Sequence, residues 1–321
     1  MTRRITLSLL TLLVFSAPLF AQDKFDRPVR IMVGFAAGGT ADLMARLVAD
    51  KMKDTLGQPV VVENRPGAAG RVAADAVKSA PADGATMMVM PIGPMAVVPH
   101  TTKSLSFDPL KDFAPVGLGS TFDFAIGVGP QSGAKTWSEY VAWAKANPAK
   151  SAYATSAAGS LPHFFGVQLG KEIGVDMVHV AYKGSAAYAN DLIGGQVPAA
   201  IDTVADLSEL HKAGRVRILA TSGPARSPVV PDVPTFSELG VKNLETGGWF
   251  GFFTHANTPP ATVALLNRHL NQALRHPDVV AKLKSVGMDP ATSTPEELQR
   301  RLASDHARWG TVVKATGFTS D

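Results

Sequence analysis

The residues best suited to chemistry in this chain are small and uncharged. In Phe35-Ala36-Ala37-Gly38-Gly39-Thr40-Ala41-Asp42 a buried-looking apolar run gives way to glycines and then to an amphipathic stretch, the pattern of strand, tight turn and helix. Glycine lets a ligand approach the backbone, and the amides of the first helical turn, aided by the helix dipole, hold a carboxylate or phosphate without a full positive charge. The same chemistry recurs at Thr155-Ser156-Ala157-Ala158-Gly159-Ser160-Leu161-Pro162-His163. There Ser156 and Ser160 add hydroxyls, and His163 falls in the first helical turn, where it reads better as a cap or packing residue than as a charged contact. A third junction, Ala181-Tyr182-Lys183-Gly184-Ser185, brings a lysine that offsets an acidic ligand if it is not simply solvated. Asp202, ending Ile201-Asp202-Thr203, is placed to meet a hydroxyl, an amine or water, or to cap the helix that follows.

Other chemistries are missing. No serine has glycine two positions before and after it, and there is neither a G-x-x-x-x-G-K-[ST] loop nor an H-E-x-x-H helix. Gly117-x-Gly119 and Gly127-x-Gly129 lack a correctly spaced third glycine for dinucleotide binding, and the 8 histidines are dispersed. With no Cys, a thiol nucleophile, a disulfide framework and thiolate-held metals are excluded. The expectation is therefore no catalytic residue, no metal and no cofactor. An exported α/β hydrolase using Ser156 or Ser160 with His163 is the enzyme alternative, without a visible acid partner.

The turns need a scaffold, and the chain alternates strand and helix as parallel βαβ units do. Strands are expected at Val29 to Phe35, Pro59 to Glu63 and Thr86 to Met90, with helices from about Ala41 to Leu56 and up to Lys78. Ala114 to Val128 reads as long strands broken near Ser120 to Asp123, where the chain crosses to a second α/β unit. That unit alternates from the helix Trp137 to Ala146 through the strand Val216 to Thr221. After the Pro-rich loop 227–234 come an aromatic strand, Trp249 to Phe253, and three helices near Pro260 to Leu274, Pro277 to Val286 and Pro295 to Lys314. Too few strands accompany those helices for a sheet of their own, so they are expected to pack back on the first unit. The division is 1–21 as a signal peptide, 22–122 with 249–321 as a discontinuous lobe I, and 123–248 as lobe II.

Composition agrees with a folded, exported protein. Of 321 residues 45% are hydrophobic and 18% charged, enough apolar surface for a sizeable core. Arg3 and Arg4, the apolar run Ile5 to Phe15 and Ala17-Pro18-Leu19-Phe20-Ala21 have the layout of a signal peptide cut near Ala21, and the run is shorter than the roughly 20 residues a membrane span needs. Removing it leaves 29 basic against 27 acidic residues, scattered without a basic stripe, so nucleic acid is not an expected partner.

The ordered motifs resemble the Bug family of periplasmic solute-binding proteins, the extracytoplasmic receptors of tripartite tricarboxylate transporters. The resemblance rests on Pro28-Val29-Arg30-Ile31 with Phe35 to Asp42, Val61 to Gly70, Pro81-x-Asp83-Gly84, Asp108 to Phe113, Tyr182-Lys183-Gly184, Asp191-Leu192-x-Gly194-Gly195-Gln196-Val197 and Arg226 to Thr235. It implies a type II-like Venus flytrap, two α/β lobes each with a βα-built sheet flanked by helices. It also implies a carboxylate held by backbone amides and ordered water at Phe35 to Asp42 and Ser156 to His163. A monomer delivering a small organic acid to a permease of one small and one large membrane subunit is the expectation; a ligand-binding subunit for a membrane sensor is the alternative. The usual Pro-Gly-Gly of the first turn is Ala37-Gly38-Gly39 here. Candidates for the far end of the ligand are Ile92-Gly93-Pro94-Met95, Phe164, Phe165, Tyr188 and Asp202, and a dicarboxylate, an aromatic acid and an amino acid all remain open.

Overall fold

The computed structural model describes residues 25–320 apart from 36, 68, 69, 183, 245 and 246. The signal-peptide reading of 1–21 and the site readings of Ala36 and Lys183 therefore lie outside the described residues.

Apolar runs form the first strands, β1 (Val29–Val33), β2 (Val60–Asn64) and β3 (Thr86–Pro91), with α1 (Thr40–Leu56) and α2 (Arg71–Lys78) between them. A π-helical turn, Gly93–Val97, runs into the short α3 (Val98–Thr101). Then β4 (Phe113–Phe122) and β5 (Phe124–Val128) meet at Asp123. There follow α4 (Trp137–Ala146), β6 (Ala152–Thr155), α5 (Leu161–Ile173), β7 (Val178–Ala181), α6 (Ser185–Ile193), β8 (Ala199–Thr203), α7 (Val204–Lys212) and β9 (Arg217–Thr221). The chain ends with β10 (Gly248–His255), α8 (Pro260–Leu274), α9 (Pro277–Ser285), β11 (Asp289–Pro290) and α10 (Pro295–Thr316).

These strands make two sheets. One has the order β11-β4-β10-β3-β1-β2, the other β7-β6-β8-β5-β9. In the first, β1 runs parallel to β2 and β3, and β10 is wedged antiparallel between β3 and β4. In the second, β6 runs parallel to β7 and β8, while β5 is antiparallel to β8 and β9. Parallel pairs demand crossover helices, which is why α1, α2, α5 and α6 fall where the sequence alternates.

The chain passes between the sheets at Asp123 and again between β9 and β10. The two passages are tied together: Phe124 N–H donates to Ser222 Oγ at 2.9 Å, and Ser222 N–H donates to Phe124 O at 2.9 Å. Gly248 opens β10 under the Phe122 ring, and a Cβ there would overlap that ring. Burial first, then the Asp289 carboxylate, pushes Asp123 up to about 6.

On one face of the first sheet α1, α8 and α9 bury Met44, Val48, Leu266, Leu270 and Val279. Across the other face runs a cluster that joins the sheets, from Val77, Leu302 and Trp309 through Phe124 to Phe164, Phe165 and Tyr140. A third cluster, with Tyr188, Leu192 and Leu207, fills the far side of the second sheet. As expected, the C-terminal helices return to the first sheet, and α10 also reaches α5 beside the second.

Candidate functional site

Between the sheets lies a cavity of about 600 Å³, within the usual range for small-molecule sites. The first sheet's side supplies Phe35, Arg71, Gly93, Pro94 and Phe122, with Thr101 and Thr102 from the end of α3. The second supplies Phe124, the run Ser156 to Pro162, Asp202 and Thr203. Ser320, beyond α10, completes the wall.

The turn before α5 is locked from behind. Ser160 caps the helix by accepting the His163 N–H at 3.4 Å, and the His163 ring returns the favour by accepting the Gly159 N–H at Nδ1, 3.1 Å away. This resembles a capping box with histidine in the glutamate's place, except that the ring takes the N–H of Gly159, the residue before the Ser160 cap. Ser160 Oγ donates to Ala157 O at 2.8 Å, and Thr155 Oγ1 donates to the same carbonyl at 3.0 Å. Since that donation uses the only hydroxyl hydrogen of Thr155, its 2.8 Å contact with His179 Nε2 has the ring donating. His163 and His179 stack with centroids 3.8 Å apart. Burial lowers the pKa of His163, and burial followed by the His163 charge brings His179 down to about 4. Neutral rings therefore hold the turn, and the N–H groups of Ala157 and Ala158 have no hydrogen-bond partner among the described residues.

Gly159 sits at φ +69°, a conformation that side chains strain to adopt, and a Cβ there would come 2.8 Å from Phe318 Cε1. Phe318 packs edge-on to His163 and Phe164, while Ser320 N–H donates to Thr101 O at 2.8 Å. The tail after α10 thus spans from the second sheet's turn to α3, a wall no local sequence signal announces.

The first turn is organised by Asp42. Its Oδ2 accepts from Gly38 N–H and Arg46 Nε, each at 2.9 Å, and its Oδ1 accepts from Asn64 Nδ2 at 2.9 Å. Burial alone would raise this carboxyl, but Arg46, Gly38 and Asn64 together hold it below the ordinary value. Of the residues expected at the site, Phe35, Gly93, Ser156, Ala157, Ala158, Gly159, Ser160 and Asp202 come together on the cavity. Ala37, Gly38, Gly39 and Thr40 are exposed and do not line it, Asp42 is buried, and His163 stands behind its own turn. Gly184 abuts the same turn, its N–H donating to Ser156 O at 2.8 Å. Ile92, Met95, Phe164, Phe165 and Tyr188 are core residues rather than cavity walls.

Asp202 does not cap α7; Thr203 does, accepting the Asp206 N–H at 3.1 Å. Burial first, then the Asp206 carboxylate, pushes Asp202 up to about 7. Ser160 and His163 meet through the backbone N–H of the histidine, and the acceptor nitrogen of the ring is taken by Gly159. That is cap geometry and not the hydroxyl-to-imidazole contact a serine nucleophile needs. Among the described residues, no cluster of His, Asp or Glu is arranged to hold a metal ion. Arg71, Phe122, Phe124, Thr101 and Ser320 were not foreseen; of these only Arg71 had a signal, since it opens a helix after the glycine-rich turn 64–70.

Known proteins share both sequence and shape with this chain. The family model described as tripartite tricarboxylate transporter family receptor matches residues 44–318. Protein BugT of Bordetella pertussis is 34% identical over 94% of this chain and 93% of its own length. Two solved structures are from Rhodopseudomonas palustris. MatC with bound malate is 31% identical, covering 90% of this chain and 99% of that one at a TM-score of 0.74. Rpa4515 with adipate is 32% identical, covering 92% and 98% at 0.78. A match of that extent in family model, sequence and fold places the chain plainly: it is a solute-binding receptor of the tripartite tricarboxylate transporter family.

Proposed function

We propose that this receptor works in the periplasm, captures a small carboxylate between its lobes and hands it to a membrane permease of one small and one large subunit. The observation that carries the reading is the Ser156 to Ser160 turn, locked from behind by His163 and presenting Ala157 and Ala158 amides without partners at the cavity wall. Such amides at a helix start attract a carboxylate. The malate and adipate named for two relatives are acids of this kind.

Lobe I, 22–122 with 249–321, and lobe II, 123–248, move as bodies about the passages at Asp123 and between β9 and β10. A ligand touching both walls favours the closed arrangement through its differential affinity, and only such a ligand shifts that equilibrium. Phe35 lines the cavity in the arrangement described, and the turn it opens joins the contact set on closure. No side chain of this set has to react, so the acid leaves unchanged.

The test is a thermal-shift screen of the chain from Gln22 against mono-, di- and tricarboxylates, aromatic acids and amino acids. Ligand bound only to the native state stabilises by about 2.7 kcal/mol at a hundredfold excess over Kd. A selective shift with the acid recovered intact supports the reading, and co-purification with the two permease subunits supports delivery. Chemical conversion of the acid, or no shift with any carboxylate, contradicts it.

A further inference from the structure

Asp202 is the anomalous group of the cavity. It is 3% exposed, its Oδ1 accepts the Thr203 N–H at 3.0 Å, and its Oδ2 has no hydrogen-bond partner. A buried polar oxygen left unpaired costs about 1–3 kcal/mol, and on the wall of a ligand cavity the missing partner is one an occupant can bring.

The groups around it decide which partner. From the turn before α5 come the Ser156 hydroxyl and N–H, both favouring the ionised carboxylate. On α6 the buried Tyr188 hydroxyl faces Asp202 without reaching hydrogen-bond geometry, and it is held protonated by burial, by the Asp202 and Asp206 charges and by its approach to the Asp202 carboxyl. The α7 end adds the Asp206 carboxylate, which disfavours a second negative charge. Strand β5 sets Ala125 beside it, an apolar neighbour. On α5, His163 is turned to Gly159 and His179. Across the cavity, Arg71 is the cation among the described lining residues. Burial and Asp206 outweigh the Thr203 N–H and Ser156, so neutral Asp202 persists to about 7, far above the ordinary 3.8.

Resting on the reading that this cavity holds the solute, we propose that Asp202 keeps its proton and donates it through Oδ2 to an anionic oxygen at the far end of a diacid, so that a diacid is captured together with one proton. The near carboxylate goes to the turn amides and the far one to Asp202. No bond other than the hydrogen bond forms; the proton stays on Asp202 and is taken from solvent when the free receptor is ionised. An ammonium at the far end calls for the opposite state, an ionised Asp202 that accepts.

The experiment is calorimetry with adipate and malate as probes between about pH 5.5 and 8.5, repeated in buffers of different ionisation enthalpy to count protons. In the wild-type receptor, affinity should fall by up to about tenfold per pH unit above neutrality, with proton uptake rising toward about one per ligand. Asp202→Asn, whose amide donates at every pH, should bind with a flat profile and no uptake, its fold checked by circular dichroism. Wild-type affinity that is flat or rises with pH overturns the proposal. Ala158→Trp, which crowds the cavity wall, separates the two levels of the argument. If it abolishes binding while the wild-type profile is flat, the cavity stands and the proton does not. If it binds as the wild type does, the cavity reading falls and the proposal with it. Failure of both acids to bind at about pH 6, where the proton is in place, also overturns the proposal.

Discussion

Replacing Asp42 with asparagine keeps the shape of the first turn's organiser while removing its charge and one acceptor. Three donors converge on the carboxylate: Gly38 N–H and Arg46 Nε on Oδ2, and Asn64 Nδ2 on Oδ1, all at 2.9 Å. An amide has one oxygen, so whichever way it turns, its NH₂ faces at least one donor. Hydrogen bonds to a charged acceptor contribute about 1.5–3 kcal/mol each, and the Arg46 share is discounted because that side chain is 54% exposed. The loss should be about 2–4 kcal/mol, which for a chain of this size lowers Tm by roughly 3–6 °C. Because the folded pKa of Asp42 is depressed, its contribution is present above the ordinary carboxylate value and is lost as pH falls through the folded one. Urea denaturation of wild type and Asp42→Asn should therefore differ at neutral pH and converge in acid. Arg46→Gln, which spares Gly38 and Asn64, should lose less than about 1 kcal/mol. A neutral-pH loss for Asp42→Asn below about 0.5 kcal/mol would refute the account of how this turn is held.

Three further perturbations probe the same frame. Gly159→Ala forces a side chain into the φ +69° conformation and against Phe318; it should cost at least about 1 kcal/mol and weaken acid binding, and Phe318→Ala should relieve the steric part, giving a non-additive double mutant. The lowered pKa values of His163 and His179 mean that stability is full above about 6.5 and declines as pH drops toward 4; urea titrations at several pH values should show that slope, and His179→Asn should flatten it. Asp202 has the opposite sign. Its folded pKa is raised, so its contribution is complete below the ordinary value and is lost as pH rises through about 7. Asp202→Asn should accordingly gain on the wild type in thermal melts as pH goes from 5 to 8, and an equal difference at both ends would be evidence against a buried neutral acid.

Much of the frame was readable because the relevant signals are local. Runs such as VRIMV and TMMVM are buried on both faces, and glycine-rich turns must follow them before a helix can return the chain. The break before Asp123 was visible for the same reason, since the long apolar stretch Ala114 to Val128 could not continue as one strand through it. Helix limits at Trp137–Ala146 and Pro260–Leu274 agree with expectation. The helix α7 begins at Val204 because Thr203 supplies its cap.

What escaped the sequence is what distance in the chain brings together. Nothing local in Gly248–His255 says that it enters between β3 and β4, or that Asp289–Pro290 adds an edge strand. The cavity walls at Phe122, Thr101 and Ser320 come from crossings and from a tail, which no periodicity encodes. Aromatic residues proposed for the ligand's far end illustrate the converse. Phe164, Phe165 and Tyr188 have the composition of a pocket and the burial of a core, because helical spacing does not tell which side of the sheet a face meets. His163 was read partly as a cap, and the reciprocal bond with Gly159 shows why a histidine in that position makes the turn rigid without lining the cavity.

The central claim, that a carboxylate bound at the Ser156 to Ser160 turn draws the lobes together, is tested most directly by small-angle X-ray scattering during calorimetric titration with the acid selected by the stability screen. The wild-type receptor should become more compact as binding saturates, and Ala158→Trp should show neither heat nor compaction while melting as a folded protein. Saturable binding with unchanged scattering, or equal compaction in the Ala158→Trp receptor, would contradict the account.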